Sequence, residues 1–150
     1  MKRFLVAAAM TLTALPALAS DDDIVKIKSF SDVGTTMDRL EAAVTGAGAN
    51  VFARVDHAAG AASVDMELAP TQVLIFGNPK IGTQAMQDDP VAGLFLPMKV
   101  LVYQDGAGET WLAYQDPEDM FDDTAINDDA DYIKRMTGAL GKLTGVAAGQ

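Results

Sequence analysis

Apolar and polar positions change period several times along the chain, and each change marks an element. Over residues 24–29 they alternate, with Val25 and Ile27 on one side and Ile24, Lys26 and Lys28 on the other, which predicts a first strand. Ser31 or Asp32 then caps a helix running to about Thr45, where Met37, Leu40 and Val44 recur at three- and four-residue spacing. Gly46 and Gly48 end it. Alternation returns over residues 50–56, with Phe52, Arg54 and Asp56 in one phase and Val51, Ala53 and Val55 in the other. Residues 58–62 are small and predict a turn with a short helix, and residues 63–68 fit neither period.

The run Val73, Leu74, Ile75 and Phe76 is continuously apolar, the pattern of a strand buried on both faces. Asn78 before Pro79 predicts a helix start, with Asn as cap and Pro in the first turn, and the helix should reach about Asp89. Pro90 opens a further turn holding Val91, Leu94 and Phe95. Two strands, 98–104 and 110–115, flank a hairpin loop at Asp105, Gly106, Ala107 and Gly108. An acidic segment after Pro117 reads as a solvated loop. A last helix should begin at about Asp128, capped by Asn127, and bury Ile133, Met136, Leu140 and Leu143, with the tail from Gly145 to Gln150 fraying. The order β-α-β-β-α-β-β-α, with its hairpin, predicts an α+β fold: a single mainly antiparallel sheet packed by helices on one face.

The N-terminus changes the picture of where this domain works. Lys2 and Arg3, the apolar stretch 4–15 and the Ala17-Leu18-Ala19 motif are expected to form a secretory signal peptide, residues 1–19, cleaved after Ala19. The apolar part is too short to span a bilayer, so the mature domain, residues 20–150, is expected in the periplasm without a membrane span. Absence of cysteine removes disulfides, thiolate nucleophiles and cysteine-ligated zinc or iron–sulfur clusters. The net charge of −10 becomes −12 when Lys2 and Arg3 leave, a field that disfavours nucleic acid as a partner.

Candidate chemistry gathers at three apolar-run boundaries. Asp56 and His57 end the second predicted strand, and His57 is the sole histidine, the candidate general base. The simpler reading of His57 is a strand-end side chain bonded to a backbone carbonyl. Gly77, Asn78, Pro79 and Lys80 join a strand to a helix start whose N–H groups, dipole and lysine suit a small anion, though Asn-Pro is also ordinary helix-start chemistry. Lys99 shares a strand face with Leu101 and Tyr103, and either snorkels to the sheet edge or enters a pocket. Convergence of His57, Asn78 and Lys99 would build a small polar pocket. Met37, Met66, Met86, Met98, Met120 and Met136 with His57 would suit copper or non-covalent haem, but they lack carrier spacing, so no cofactor and no metal site are predicted.

The segments Arg54-Val55-Asp56-His57, Phe76-Gly77-Asn78-Pro79-Lys80 and Leu96-Pro97-Met98-Lys99, in this order, resemble the domain of unknown function 302 family over roughly Ile24 to Leu143. The resemblance implies a compact α+β domain, often a homodimer, with no established activity and no catalytic set to carry over. The expected function is therefore non-catalytic binding of a small ligand, an anion among the candidates, or a periplasmic protein partner, through Asp56, His57, Gly77 to Lys80 and Lys99. The alternatives are a small hydrolase or isomerase using His57 and Lys99, and a metal- or haem-binding accessory protein.

Overall fold

A computed structural model describes residues 23–150, so the expected signal peptide lies outside the described residues. The elements follow in the order β1 (Ile24–Lys28), α1 (Val33–Gly46), β2 (Asn50–Asp56), α2 (His57–Ala62), β3 (Thr71–Gly77), α3 (Pro79–Asp88), a 3-10 turn (Pro90–Leu94), β4 (Met98–Gln104), β5 (Thr110–Gln115), α4 (Pro117–Met120) and α5 (Asp131–Ala148). The caps form as their residue types dictate: the Asp32 carboxylate accepts from Thr35 N, and Asn78 Oδ1 from Lys80 N.

The five strands form one sheet in the order β1-β5-β4-β3-β2, and every neighbouring pair is antiparallel. Helices cover one face, the α+β architecture the periodicity predicts. There, α1 lies over β2, β3 and β4, and α5 packs on α1 and over β1 and β5. Strand alternation aims Leu74, Val100, Val102 and Leu112 at that layer, where they meet Met37, Leu40, Val44, Ile133 and Leu140 with almost no solvent contact. Full burial of each large apolar side chain contributes about 1.5–3 kcal/mol, so this shared layer dominates the stability of the domain.

Among the described residues the other face carries neither α1 nor α5. Its residues align in cross-strand rows set by the ladders, one of them Lys26, Ala113, Leu101, Val73 and Val55. This corrects the expectation that β3 is buried on both sides: Leu74 and Phe76 are buried, whereas Val73 and Ile75 face outward and are half-buried. A continuous apolar run here reflects an apolar open face, not a covered one.

Two further expectations are corrected at the C-terminal end. Asn127 does not cap the last helix. Its Oδ1 accepts from Asp129 N at 2.8 Å, closing a tight turn, so α5 starts at Asp131 with Ala130 at the cap position and no side-chain cap bond. Nor does the tail fray at Gly145: α5 continues to Ala148, with Ala147 and Ala148 buried, and Phe30 N donates to Ala148 O at 3.2 Å. Small side chains let this last turn sit close against the β1–α1 connection.

The acidic segment is also less solvated than its charge suggests. Asp116 caps the short α4, and Met120, Phe121 and Ile126 are buried between exposed carboxylates. Phe121 stands edge-on to Phe95, with ring centroids 5.9 Å apart, and so ties this segment to the stretch before β4.

Candidate functional site

Three chain reversals meet at one end of the sheet: α1 into β2, β3 into α3, and the 3-10 turn into β4. The side chains there are small or apolar. Ala47 and Ala49 leave room at the end of α1, Gly77 ends β3, and a register shift between Val51 and Ala53 in the β2–β3 ladder marks a bulge at Phe52. A Cβ at Gly77 would stand 3.6 Å from both Phe52 and Pro97, an ordinary contact, so the turn is close-packed without being strained. Beneath α3, these elements and α5 line a half-open cavity of about 420 Å³.

The lining is almost wholly apolar. Phe52, Phe76, Met86, Met98, Met136 and Leu143 supply its large surfaces; among the described residues Asn78 and Thr83 are its only polar side chains, and no charged residue or histidine contributes. Phe52 is 57 % exposed and Met86 40 % exposed, so both form an accessible rim, while Phe76, Met98 and Leu140 belong to the core behind it. The volume falls within the range of small-molecule pockets, about 300–1,000 Å³.

Polar ties hold α3 over this cavity. Tyr132 donates from its hydroxyl to Asp88 Oδ2 at 2.7 Å, joining α5 to the end of α3. Burial, together with that carboxylate, pushes the tyrosine up to about 12. Asp89 accepts from Ala125 N and Val91 N, both at 2.9 Å, linking the 3-10 turn to the acidic segment. These two backbone donors, Ala125 first, hold its carboxyl below the usual aspartate range.

The residues expected from sequence divide between this cavity and other places. Gly77, Asn78 and Pro79 line it. Lys80 is the second residue of α3 and is exposed and outside the lining. Asp56 is the cap of α2, accepting from Ala59 N at 2.9 Å, and His57 is the exposed first residue of that helix. Lys99 is exposed on the open face of the sheet, opposite the helix layer, because its neighbours Met98 and Val100 take the inward positions.

The polar pocket built from His57, Asn78 and Lys99 therefore does not assemble. Asn50 pairs with Gly77 and Asp56 with Gln72, so Asn78 and His57 lie at opposite ends of the β2–β3 ladder. At about 3.3 Å per residue that separation is about 20 Å. The helix start also lacks spare donors for an anion. Pro79 has no N–H, Lys80 N is taken by Asn78 Oδ1, and the amides of Ile81 and Gly82 donate to Asn78 O at 2.9 and 3.0 Å. Among the described residues no group of three or more His, Cys, Asp or Glu side chains could hold a metal ion.

Phe52, Met86, Met136 and Ala139 were outside the sequence expectation for a site. One signal does point to the first: Phe52 shares its phase of β2 with Arg54 and Asp56, so an aromatic ring stands where the pattern calls for a polar side chain. Arg54 itself is held by Asp38, Glu41 and Gln72 and takes no part in the cavity.

Comparison with known proteins agrees with this architecture. The family described as Domain of unknown function DUF302 matches residues 25–143. The crystal structure of an uncharacterized conserved DUF302 protein from Bacillus stearothermophilus superposes with a TM-score of 0.66 at 18 % identity, covering 84 % of this chain and 95 % of that one, a likeness of fold. Two curated relatives are named Fluoride-specific ion channel FluC 1, from Brucella suis biovar 1 and Brucella abortus biovar 1. Each is 40 % identical over 137 residues, 89 % of this chain. The match takes in 54 % and 51 % of their lengths, so the chain spans about half of the curated relatives it matches. Among the described residues no helix is long and apolar enough to cross a membrane.

Proposed function

The chain belongs to the DUF302 family, and from that premise we propose that it is a periplasmic, non-catalytic binding domain, working as a homodimer, that takes a small uncharged apolar molecule under α3. The observation that carries this reading is the cavity of about 420 Å³ whose lining, among the described residues, holds no ionisable side chain. Transfer of an apolar ligand into such a site is favoured by about 25 cal/mol per Å² removed from water. A carboxylate or phosphate entering it would lose hydration with no cation or free backbone amide to replace it.

Titration with the apolar fluorophore N-phenyl-1-naphthylamine tests the reading. Saturable one-to-one binding, displaced by decanol and unmoved by inorganic phosphate, is the expected result. His57→Gln should leave that binding unchanged, since His57 lies at the far end of β2. Absence of saturable binding, or displacement by phosphate instead of decanol, overturns the apolar site. Loss of the cellular role on His57→Gln would instead favour the alternative, a hydrolase or isomerase with His57 as general base.

A second reading rests on the relatives named as fluoride-specific ion channels: the domain serves beside such a channel. Deleting its gene is then expected to lower the fluoride concentration at which growth stops. Unchanged fluoride tolerance removes this reading.

A further inference from the structure

Among the described residues Asn78 carries the one side-chain N–H group of the cavity lining. Its carboxamide is not free to flip. Oδ1 accepts from Lys80 N at 3.0 Å as the cap of α3, and the flipped amide would set N–H against N–H. The helix therefore fixes which end of the amide is left over: Nδ2 donates to no group among the described residues. Turn amides around the cavity are in use. Ala49 N donates to Val44 O, Leu96 N to Ala92 O, and Ile81 N and Gly82 N to Asn78 O. Pro79 and Pro97 have no N–H to offer.

We infer, resting on the apolar site proposed above, that its ligand is a neutral carbonyl compound. The carbonyl oxygen accepts from Asn78 Nδ2, and the hydrocarbon body lies against the walls supplied by Phe52, Met86 and Met136. Matching of donors to acceptors selects this class. A pure hydrocarbon covers Nδ2 and leaves it without a partner, which costs the hydration of a donor. An alcohol brings a hydroxyl proton that needs an acceptor, and Asn78 Oδ1 is already engaged by Lys80 N. A carboxylate brings a whole charge to a single neutral donor. A carbonyl oxygen brings an acceptor and no proton, the complement of a lone N–H. Thr83, the other polar side chain of the lining, is exposed, so water serves its hydroxyl with or without a ligand. Asn78 is half-buried, so its donor gains more from a ligand than the Thr83 hydroxyl does.

Competition against bound N-phenyl-1-naphthylamine tests the class, with 2-decanone and with 2-methyl-1-decene, in which =CH₂ replaces the carbonyl oxygen on the same skeleton. The proteins are the wild type, Asn78→Asp and Thr83→Val. Aspartate is as good a cap as asparagine, so α3 keeps its start, but the Nδ2 donor becomes an oxygen that repels a carbonyl. The expected result is a dissociation constant for 2-decanone at least about tenfold higher in Asn78→Asp, from the lost bond and the new repulsion. The alkene and the fluorophore should stay within about twofold in that variant, and Thr83→Val should move none of the three beyond about twofold. A second readout needs no variant. The infrared carbonyl stretch of 2-decanone bound to the wild type is expected below its position in hexane, the signature of an accepted hydrogen bond.

Equal weakening of ketone and alkene in Asn78→Asp, or weakening of neither, overturns the carbonyl class. So does a hexane-like stretch, which decides the matter even where Asn78→Asp fails to fold. In each of these cases saturable binding of the fluorophore to the wild type leaves the apolar site standing. Loss of the ketone in Thr83→Val instead of Asn78→Asp overturns the assignment of the donor. A wild type that does not bind the fluorophore overturns the apolar site and this ligand class together.

Discussion

Replacing Phe121 with alanine is expected to destabilise the domain by about 3–5 kcal/mol, the range for truncating a fully buried aromatic side chain. Phe121 is 1 % exposed and is the largest of the fully buried side chains. Its ring meets Phe95 edge-on and anchors a segment that carries six exposed carboxylates, Glu118, Asp119, Asp122, Asp123, Asp128 and Asp129. Little else nearby could collapse into the space, because Met120 and Ile126 are held by the turns on either side of it. For a domain of this size the loss corresponds to a fall of about 10–20 °C in melting temperature. Thermal unfolding followed by circular dichroism measures it, with Asp122→Ala, an exposed neighbour, as the control expected to stay within about 0.5 kcal/mol. A Phe121→Ala loss under about 1 kcal/mol would mean that the segment is not anchored to the core.

Phe121 also marks where sequence pattern stops informing. The α+β class, the five strands and the faces of α1 and α5 were legible because apolar residues there repeat with period two or with three- and four-residue spacing. Between Asp116 and Asp131 no period exists. Met120, Phe121 and Ile126 are buried singly by turns, and local charge outweighs them in any window. The start of α5 was misplaced for a related reason: Asn127 and Asp128 have the chemistry of a helix cap, and equally that of the tight turn they form.

The candidate site was legible only in part. Gly77, Asn78 and Pro79 announce a sharp strand-to-helix turn, and the cavity does lie there. Its chemistry comes from residues far apart in the chain, Phe52 on the β2 bulge, Met86 on α3 and Met136 on α5, each of which reads locally as ordinary core or ordinary surface. Polar residues drew the sequence reading toward His57, Lys80 and Lys99. The fold places them at the far end of β2, outside the lining and on the opposite face. Alternation explains Lys99 fully: with Met98 and Val100 required inside, it can only point away from the helices.

Ala139→Trp should abolish occupancy of the cavity, with at least a tenfold loss of affinity for N-phenyl-1-naphthylamine, equivalent to at least about 1.4 kcal/mol. Ala139 lines the cavity from an exposed position on α5, three residues after the buried Met136 and next to Leu140. An indole there projects into existing space instead of displacing core side chains, so the expected stability change is only the helix-propensity difference, about 0.5 kcal/mol. That separation between affinity and stability is what makes the variant decisive. Core truncations such as Leu140→Ala would alter both at once and could not distinguish an emptied site from a loosened fold. Native mass spectrometry of the two proteins with the fluorophore reads occupancy directly, and Lys99→Ala serves as the opposite-face control. Retained binding in Ala139→Trp together with loss in Lys99→Ala would move the ligand site to the open sheet face. Loss in Ala139→Trp alone ties recognition to the thioether and aromatic walls beneath α3.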